Sequence, residues 1–180
     1  MFEEILTYNK RFVENKGYEP YLTDKFPDKH LAIVTCMDTR LTTLLPAALG
    51  LKNGDAKIIK NAGGLVSDPY GSAMRSLLVG IYELHVDYIM VIAHTDCGAC
   101  HLDGHEMKQL MLERGIRQEV IDQVEQGGVD IEDWLEGFHD TDRTVRQTVD
   151  VIRRHPLVPT DVEVRGFVIH SATGLLTPID

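Results

Sequence analysis

The sequence predicts an α/β fold of three layers, in which helices flank a mostly parallel central β-sheet. Short, evenly apolar runs alternate along the chain with longer segments whose apolar residues recur at helical spacing. Such alternation is typical of β-α-β units, and strands that are apolar on both faces belong to sheets covered on both sides. With 180 residues the chain can form a sizeable core, and we predict a single domain over residues 1–180.

The segment before the first strand is predicted to form a helix and a connection. Residues 1–17 place apolar side chains at helical spacing and end at Gly17, which predicts an N-terminal amphipathic helix. Residues 18–30 contain two prolines, which favour an extended connection. The apolar run 31–34 then predicts a strand that is covered on both faces.

Helices and strands alternate up to the middle of the chain. Residues 41–50 predict a helix that ends in glycine, and residues 56–60 predict a second strand. The turn-forming residues 61–64 follow that strand directly. Apolar side chains recur at helical spacing over 71–86, and the run 88–93 predicts the third strand most clearly of all.

The second half of the chain is more polar. Residues 103–155 predict a helical insertion, which is interrupted at the glycines Gly115, Gly127, Gly128 and Gly137. The run 162–169 predicts the last strand, and a short hairpin through Gly174 follows it.

Composition and charge limit the partners that the protein can have. The net charge is −10 and the basic residues do not cluster, so we expect no nucleic-acid partner. The apolar runs are much shorter than the ~20 residues that cross a bilayer, and we expect no membrane association. The acidic, amphipathic first residues differ from the basic start of a signal peptide, which predicts a cytoplasmic protein whose three cysteines are reduced.

Two short motifs follow predicted strands and carry the chemistry of the chain. Residues 36–40 read CMDTR and residues 94–98 read HTDCG. Because ligands bind at the carboxyl ends of parallel strands, we expect the two motifs to converge. Together, Cys36, His94 and Cys97 offer two thiolates and one imidazole, a set that holds Zn²⁺ and leaves a fourth position for water.

The first motif also contains a carboxylate and a guanidinium. On an extended segment, Asp38 and Arg40 point to the same side, so Arg40 can pair with Asp38 and lower its pKa. Two roles for Asp38 stay open at this point. It can accept a hydrogen bond from the attacking water and so orient it, or it can bind zinc itself as a fourth ligand in a closed state.

Residues 97–101 read CGACH and allow three other interpretations. C-x-x-C-H is the attachment motif of c-type haem, but covalent haem attachment follows export and we find no export signal. Cys97 and Cys100 also form a C-x-x-C pair, as in thioredoxin-like redox sites, which would leave His94 and the first motif unused. Cys100 as a fourth ligand would instead give a closed, structural zinc site. Each motif residue alone has a plainer explanation in the core or at the surface, but their joint occurrence favours the open metal site.

The two motifs, in this order, resemble those of the β-class carbonic anhydrases, in particular the compact microbial branch. Residues 60–64, KNAGG, are similar to the loop after that family's second strand, although Lys60 stands where many members have arginine. Residues 164–168 and 173–175 are similar to its closing strand and hairpin. The resemblance does not extend to the predicted helical insertion.

The resemblance implies a zinc lyase that catalyses the reversible hydration of carbon dioxide to bicarbonate and a proton. Its zinc ligands would be Cys36, His94 and Cys97, and its catalytic dyad would be Asp38 and Arg40. It also implies a homodimer or a higher homo-oligomer. Two alternatives keep the same site: a zinc hydrolase of carbon disulfide or carbonyl sulfide, and a non-catalytic module that binds zinc or bicarbonate.

Two features of the predicted site stay open. The backbone N–H groups of Gly63 and Gly64 are candidates for substrate contacts, although a plain tight turn would also explain this pair. A proton carrier is not assigned, because seven histidines outside the second motif are available: His30, His85, His101, His105, His139, His155 and His170.

Overall fold

A five-stranded β-sheet forms the centre of the protein, whose computed structural model describes residues 1–179. In chain order the strands are β1 (Leu31–Cys36), β2 (Ala56–Asn61), β3 (Tyr88–His94), β4 (Glu163–Ile169) and β5 (Leu176–Ile179). The order in the sheet is β2-β1-β3-β4-β5. The first four of these pair in parallel, and β5 is antiparallel to β4 at one edge. The predicted α/β architecture is therefore confirmed.

The first three strands end later than the sequence predicts, and β2 ends at Asn61, one residue beyond its predicted range. The evenly apolar run stops at Val34, but β1 continues to Cys36. The reason is Thr35, whose fully buried hydroxyl donates a hydrogen bond of 2.8 Å to the carbonyl oxygen of Ile92 in the neighbouring strand. The third strand likewise runs on to His94. As a result, two candidate metal ligands are the last residues of adjacent parallel strands.

The described residues contain seven α-helices. Their bounds are α1 (Phe2–Glu14), α2 (Leu41–Ala48), α3 (Ser72–Leu84), α4 (Gly104–Glu113), α5 (Gln118–Gln126), α6 (Ile131–Leu135) and α7 (Thr141–Arg153). Short 3-10 turns lie at Glu19–Tyr21, Ala62–Gly64 and Gly98–His101. The last two of these turns follow β2 and the second motif, and both help to build the site described below.

Apolar clusters cover both faces of the sheet. Successive side chains of a strand point to opposite faces, so Ile33 and Val34 mark the two sides of β1. Val34 belongs to a cluster that includes buried residues of α3 and α7. Ile33 belongs to a second cluster with Leu41 and Leu45 of α2, and this cluster also contains Cys36 and the second motif's cysteine. The sheet is thus the middle of three layers.

The segment 103–155 consists of four helices, and the last of them packs on the sheet. Along α7, Val145, Val149 and Ile152 lie on one face and are buried in the cluster that covers β3 and β4. By contrast, α4, α5 and α6 contact one another. The polar composition of the segment comes from the outward faces of its helices. Part of the predicted insertion therefore belongs to the central three-layer fold.

The N-terminal helix α1 has an amphipathic sequence, but none of its residues is buried. Its apolar side chains, among them Phe2, Ile5, Leu6 and Val13, face solvent. An apolar helix face in contact with water is unusual for a protein that acts as a monomer. In the part of the chain that the structure describes, no helix combines the length and the hydropathy that a membrane span requires.

Candidate metal centre

Cys36 reaches the site as the last residue of β1. In the parallel pairing of β1 with β2, it lies opposite Asn61. The next residue, Met37, donates its backbone N–H to the carbonyl oxygen of Asn61 at 2.9 Å, so the chain stays tied to β2 as it leaves the sheet. The Cys36 side chain is buried. The sheet therefore fixes this thiol at its carboxyl edge.

The second motif reaches the same edge from β3. His94 ends the strand, and Thr95 donates its backbone N–H to Ile169 of β4 at 3.0 Å. Asp96 then adopts a left-handed conformation with a φ of 55°. Cys97 follows and caps the 3-10 turn Gly98–His101. This tight turn brings Cys97 back beside the two strand ends, where its side chain is buried.

The three predicted ligands meet at this edge. One donor atom each of Cys36, His94 and Cys97 lies within 4.8 Å of the others. The two sulfur atoms are 3.8 Å apart. Two thiolates that bind one tetrahedral zinc ion at ~2.3 Å each are expected ~3.8 Å apart, so the spacing fits a shared metal ion.

The imidazole of His94 is held in the form that a metal ligand needs. Its Nδ1 lies 2.9 Å from the carbonyl oxygen of Thr95, and because a carbonyl only accepts, Nδ1 carries the proton. The other nitrogen, Nε2, is buried and has no hydrogen-bond partner among residues 1–179. A buried polar atom without a partner costs free energy unless something else binds it. A metal ion at the cluster would satisfy Nε2.

The buried thiol of Cys97 stays protonated unless a cation stabilises its thiolate. Burial raises its pKa to about 11, since a charged thiolate is disfavoured in an apolar environment. A cation beside the sulfur offsets that cost and releases the proton. The donor set, the sulfur spacing and the free Nε2 of His94 together fit a zinc ion.

Asp38 and Arg40 form an ion pair next to the three ligands. The Arg40 side chain donates from Nε to Oδ1 of Asp38 at 3.0 Å and from Nη2 to Oδ2 at 2.8 Å. The backbone N–H of Arg40 also donates to Oδ1 at 2.8 Å. These hydrogen bonds, first of all those from the side chain, lower the pKa of Asp38 to about 2. The carboxylate is therefore ionised and can only accept hydrogen bonds at neutral pH.

The pair arises from a turn and not from an extended segment. Residues after Asp38 enter a turn, and Arg40 already has helical backbone angles at the start of α2. A short aspartate side chain readily accepts from the backbone two residues later, which closes such a turn. The structure thus brings the two side chains together as predicted, but through different local geometry. Oδ2 of Asp38 lies 3.8 Å from Nε2 of His94, beside the cluster.

Sequence reasoning missed one member of the site, Asp96. Its carboxylate accepts from Nη1 of Arg40 at 2.9 Å, and its carbonyl oxygen accepts from Nη2 at 2.8 Å. Asp96 belongs to the second motif, 56 positions after Arg40. The only signal in the sequence was an acidic residue between two candidate ligands. The contact itself depends on the two motifs meeting.

Cys100 lies outside the three-residue cluster. Its sulfur contacts the Thr141 hydroxyl at 3.6 Å, and the residue is only partly buried. The closed structural site with Cys100 as fourth ligand is therefore not the arrangement that the structure adopts. The sulfur close to Cys97 is that of Cys36, which argues in the same way against a local C-x-x-C redox pair.

Gly63 and Gly64 lie in the turn after β2 and are buried. Asn61 shapes this turn, because its side chain accepts from the N–H of Leu65 and donates to the carbonyl of Leu65. Gly64 has a φ of 69°, and a Cβ at this position would lie 2.8 Å from the backbone nitrogen of Cys36. The strand end that carries the first candidate ligand therefore requires a glycine here.

Comparison with known proteins gives one family. A family model described as carbonic anhydrase matches residues 31–176. The Bacillus subtilis protein YvdA is 51% identical over 172 residues, which are 96% of this chain and 87% of YvdA. The crystal structure of a β-carbonic anhydrase, isoform I of Trichomonas vaginalis, superposes on this chain with a TM-score of 0.89 at 36% sequence identity. The superposition covers 99% of this chain and 97% of the Trichomonas vaginalis chain. A carbon disulfide hydrolase of Saccharolobus solfataricus is 31% identical over 162 residues, or 83% of this chain and 76% of that protein.

Proposed function

This chain belongs to the β-class of the carbonic anhydrase family, and from that premise we propose that it catalyses the zinc-dependent, reversible hydration of carbon dioxide to bicarbonate and a proton. The observation that carries the proposal is the buried cluster of Cys36, His94 and Cys97 with the ionised Asp38 beside it. A metal site alone would also suit a binding module. The carboxylate next to it favours a catalyst.

The proposed ligands are Cys36, His94 and Cys97. A zinc ion held by them would supply a Lewis acid that makes water nucleophilic at neutral pH. The strand ends and the turn that follows β3 fix both thiols and Nε2 of His94 next to one another. This preorganisation favours one ligand geometry over others.

Asp38 is the proposed orienting residue for the attacking water. Because Arg40 keeps it ionised, it accepts a hydrogen bond from the water and cannot donate one. The accepted hydrogen bond turns a lone pair of the water oxygen toward the carbon of carbon dioxide. Correct orientation of the attacking water lowers the barrier of such a step.

Arg40 is the proposed partner that holds Asp38 in this role. Its hydrogen bonds with Asp38 and Asp96 raise the pKa of the guanidinium, so it stays charged throughout the reaction. Two parallel hydrogen bonds to one carboxylate fix its orientation as well as its charge. A lysine in this place would supply the charge without the fixed plane.

Gly63 and Gly64 are the proposed substrate contacts. Their turn packs against β1 and against the turn Gly98–His101, so its backbone borders the cluster from the side of β2. Backbone N–H groups that border an anion site can donate to a carboxylate-like product such as bicarbonate. The packing of Gly64 on Cys36 is an independent reason for glycine in this turn.

A closed state, in which Asp38 becomes the fourth ligand, is also part of the proposal. Oδ2 of Asp38 lies 3.8 Å from Nε2 of His94, so the carboxylate is near enough to the three-residue cluster to be a candidate fourth ligand. An oxygen of Asp38 that bound a metal ion would be less available to accept from Arg40, which now donates to both oxygens. The open and closed states therefore compete for the same carboxylate.

We further propose that the protein acts as a homodimer or a higher homo-oligomer. The apolar face of α1 is exposed along the helix, and a second copy would bury it. We also place the enzyme in the cytoplasm, because the proposed ligands Cys36 and Cys97 must stay reduced to bind a metal ion.

The experiment that tests the function is stopped-flow hydration of carbon dioxide on protein of measured zinc content. Cys36→Ser is expected to lose zinc and activity together. Asp38→Ala is expected to keep its zinc and to lose ~100-fold or more in kcat/KM, since it loses the residue that orients the attacking water. The control is Cys100→Ser, which is expected to resemble the wild type, because Cys100 lies outside the cluster.

The same preparation decides between the candidate substrates. Carbon disulfide is tested as a substrate in a parallel assay, because the Saccharolobus solfataricus relative is a carbon disulfide hydrolase. Faster turnover of carbon disulfide than of carbon dioxide would contradict the proposed substrate. A zinc-loaded protein that turns over neither compound would instead support the non-catalytic binding module.

A further inference from the structure

We infer that Asp96 is a positioning residue, which fixes the guanidinium of Arg40 and, through it, the carboxylate of Asp38. The inference rests on the proposed function, because it explains how the proposed orienting residue keeps its place. Asp96 is not itself proposed to contact substrate or metal. Its carboxylate joins the second motif to Arg40 of the first.

The hydrogen bonds of Arg40 carry the inference. Nε and Nη2 donate to the two oxygens of Asp38, while Nη1 and Nη2 donate to Oδ2 and the carbonyl oxygen of Asp96. All four distances lie between 2.8 and 3.0 Å. Asp38 thus accepts along one edge of the guanidinium and Asp96 along another. The guanidinium plane cannot rotate without losing a charged hydrogen bond.

The backbone explains why Asp96 is in place to do this. It lies between His94 and Cys97 and has a φ of 55°, a left-handed conformation that aspartate and asparagine tolerate better than most residues. The turn that returns Cys97 to the cluster therefore also presents the Asp96 carbonyl and carboxylate to Arg40. The same turn therefore places Cys97 in the cluster and holds the side chain of Arg40.

The contact is expected to matter for positioning more than for stability. The Asp96 side chain is 79% exposed and that of Arg40 is 42% exposed. Exposed ion pairs contribute little to the stability of a fold. Asp38, by contrast, has an 18% exposed side chain beside the cluster, and its orientation depends on the arginine. In a variant without the Asp96 carboxylate, the hydrogen bond to Nη1 of Arg40 is lost. The backbone carbonyl oxygen of residue 96 then restrains the guanidinium through Nη2 alone.

The variant Asp96→Asn tests the inference, because asparagine keeps the size of the side chain and its tolerance of the left-handed backbone. We expect kcat/KM for carbon dioxide hydration to fall about fivefold, the scale of one exposed charged pair. Zinc content and thermal midpoint are expected to stay at wild-type values. The matched control is Asp161→Asn, an exposed aspartate just before β4, at the opposite edge of the sheet.

A direct measurement on Arg40 accompanies the kinetics. The ¹⁵N-edited NMR signal of its Nε–H reports how firmly the guanidinium is held, through its rate of exchange with water. We expect Asp96→Asn to speed up this exchange, in metal-loaded and in metal-free protein alike. An unchanged exchange rate in Asp96→Asn would overturn the inference.

A double-mutant cycle separates positioning from a general effect on the turn. If Asp96 acts through Arg40, then Asp96→Asn has no further effect on kcat/KM in the Arg40→Ala background. An equal loss in both backgrounds would overturn the inference. If the zinc-loaded wild-type protein does not hydrate carbon dioxide, the proposed function has failed, and the exchange rate of the Arg40 Nε–H still tests the role of Asp96. If Asp38→Ala and Arg40→Ala both keep wild-type hydration, the proposed roles of Asp38 and Arg40 have failed while the proposed function stands. If both lose hydration while Asp96→Asn keeps it, the positioning role alone has failed.

Discussion

The sulfur atoms of Cys36 and Cys97 lie 3.8 Å apart, although 61 positions separate the two residues in the sequence. Each sits at the carboxyl end of a parallel strand or just after it, and the two strands are neighbours in the sheet. The pairing of β1 with β3 therefore brings the candidate metal ligands of two distant motifs together.

The first prediction concerns that pair of sulfurs. Replacing Cys97 by serine removes one thiolate, and we expect the affinity for zinc to fall by at least ~100-fold. This decrease is at the upper end of, or beyond, the decrease caused by replacing a residue that only hydrogen-bonds to a metal ligand. Zinc content after dialysis against a weak chelator measures the effect. Cys100→Ser is the control and should retain zinc, because its sulfur contacts Thr141 and not the cluster. Equal zinc loss in both variants would contradict the proposed ligand set.

The second prediction concerns the close contact between Gly64 and β1. A Cβ at Gly64 would lie 2.8 Å from the backbone nitrogen of Cys36, and the backbone is left-handed there. We expect Gly64→Ala to lower the free energy of unfolding by ~2–4 kcal/mol, from strain and overpacking together. Urea unfolding followed by circular dichroism gives the value.

A matched glycine separates the two causes. Gly50 is also left-handed, with a φ of 64°, but a Cβ there would meet nothing within 4 Å. Gly50→Ala should therefore cost only the ~1–2 kcal/mol of the backbone conformation. If Gly50→Ala proves as destabilising as Gly64→Ala, the contact with Cys36 is not what requires the glycine.

The third prediction tests whether α7 belongs to the central fold. Ile152 is fully buried in the cluster between α7 and the sheet. Ile152→Ala is expected to lower the free energy of unfolding by ~2–5 kcal/mol, because it removes buried apolar volume and leaves a cavity. Val124→Ala on α5 is the comparison, since Val124 is 41% exposed and should cost well under half as much. Similar losses at the two positions would contradict a core role for α7.

The fourth prediction concerns the exposed face of α1. Replacing Ile5 and Leu6 by serine removes two apolar side chains that face solvent. We expect the molar mass from light scattering to fall from that of the proposed homo-oligomer toward that of one chain. Replacing Lys10 and Glu14 of the same helix by serine should leave the mass unchanged. A wild-type protein that is already monomeric at micromolar concentration would contradict the proposed assembly.

Much of the fold could be predicted because its signals are local. The apolar runs of β1 and β3 and the helical spacing of α3 each depend on residues close together in the chain. The strand ends were predicted less well, since Thr35 continues β1 only because the carbonyl of Ile92 in the next strand accepts its hydroxyl. A polar residue gives no sign in the sequence of such a distant acceptor.

The sequence by itself determined which residue types could form the centre: two cysteines, a histidine and an Asp-x-Arg pair, all placed after strands. The tertiary structure alone decided which of the three cysteines meet, and that Asp96 shares Arg40 with Asp38. It also decided that Gly64 lies against the strand end of Cys36. The physical reason is the same in each case. Strand pairing joins residues that are far apart in the chain, and local patterns do not encode such contacts.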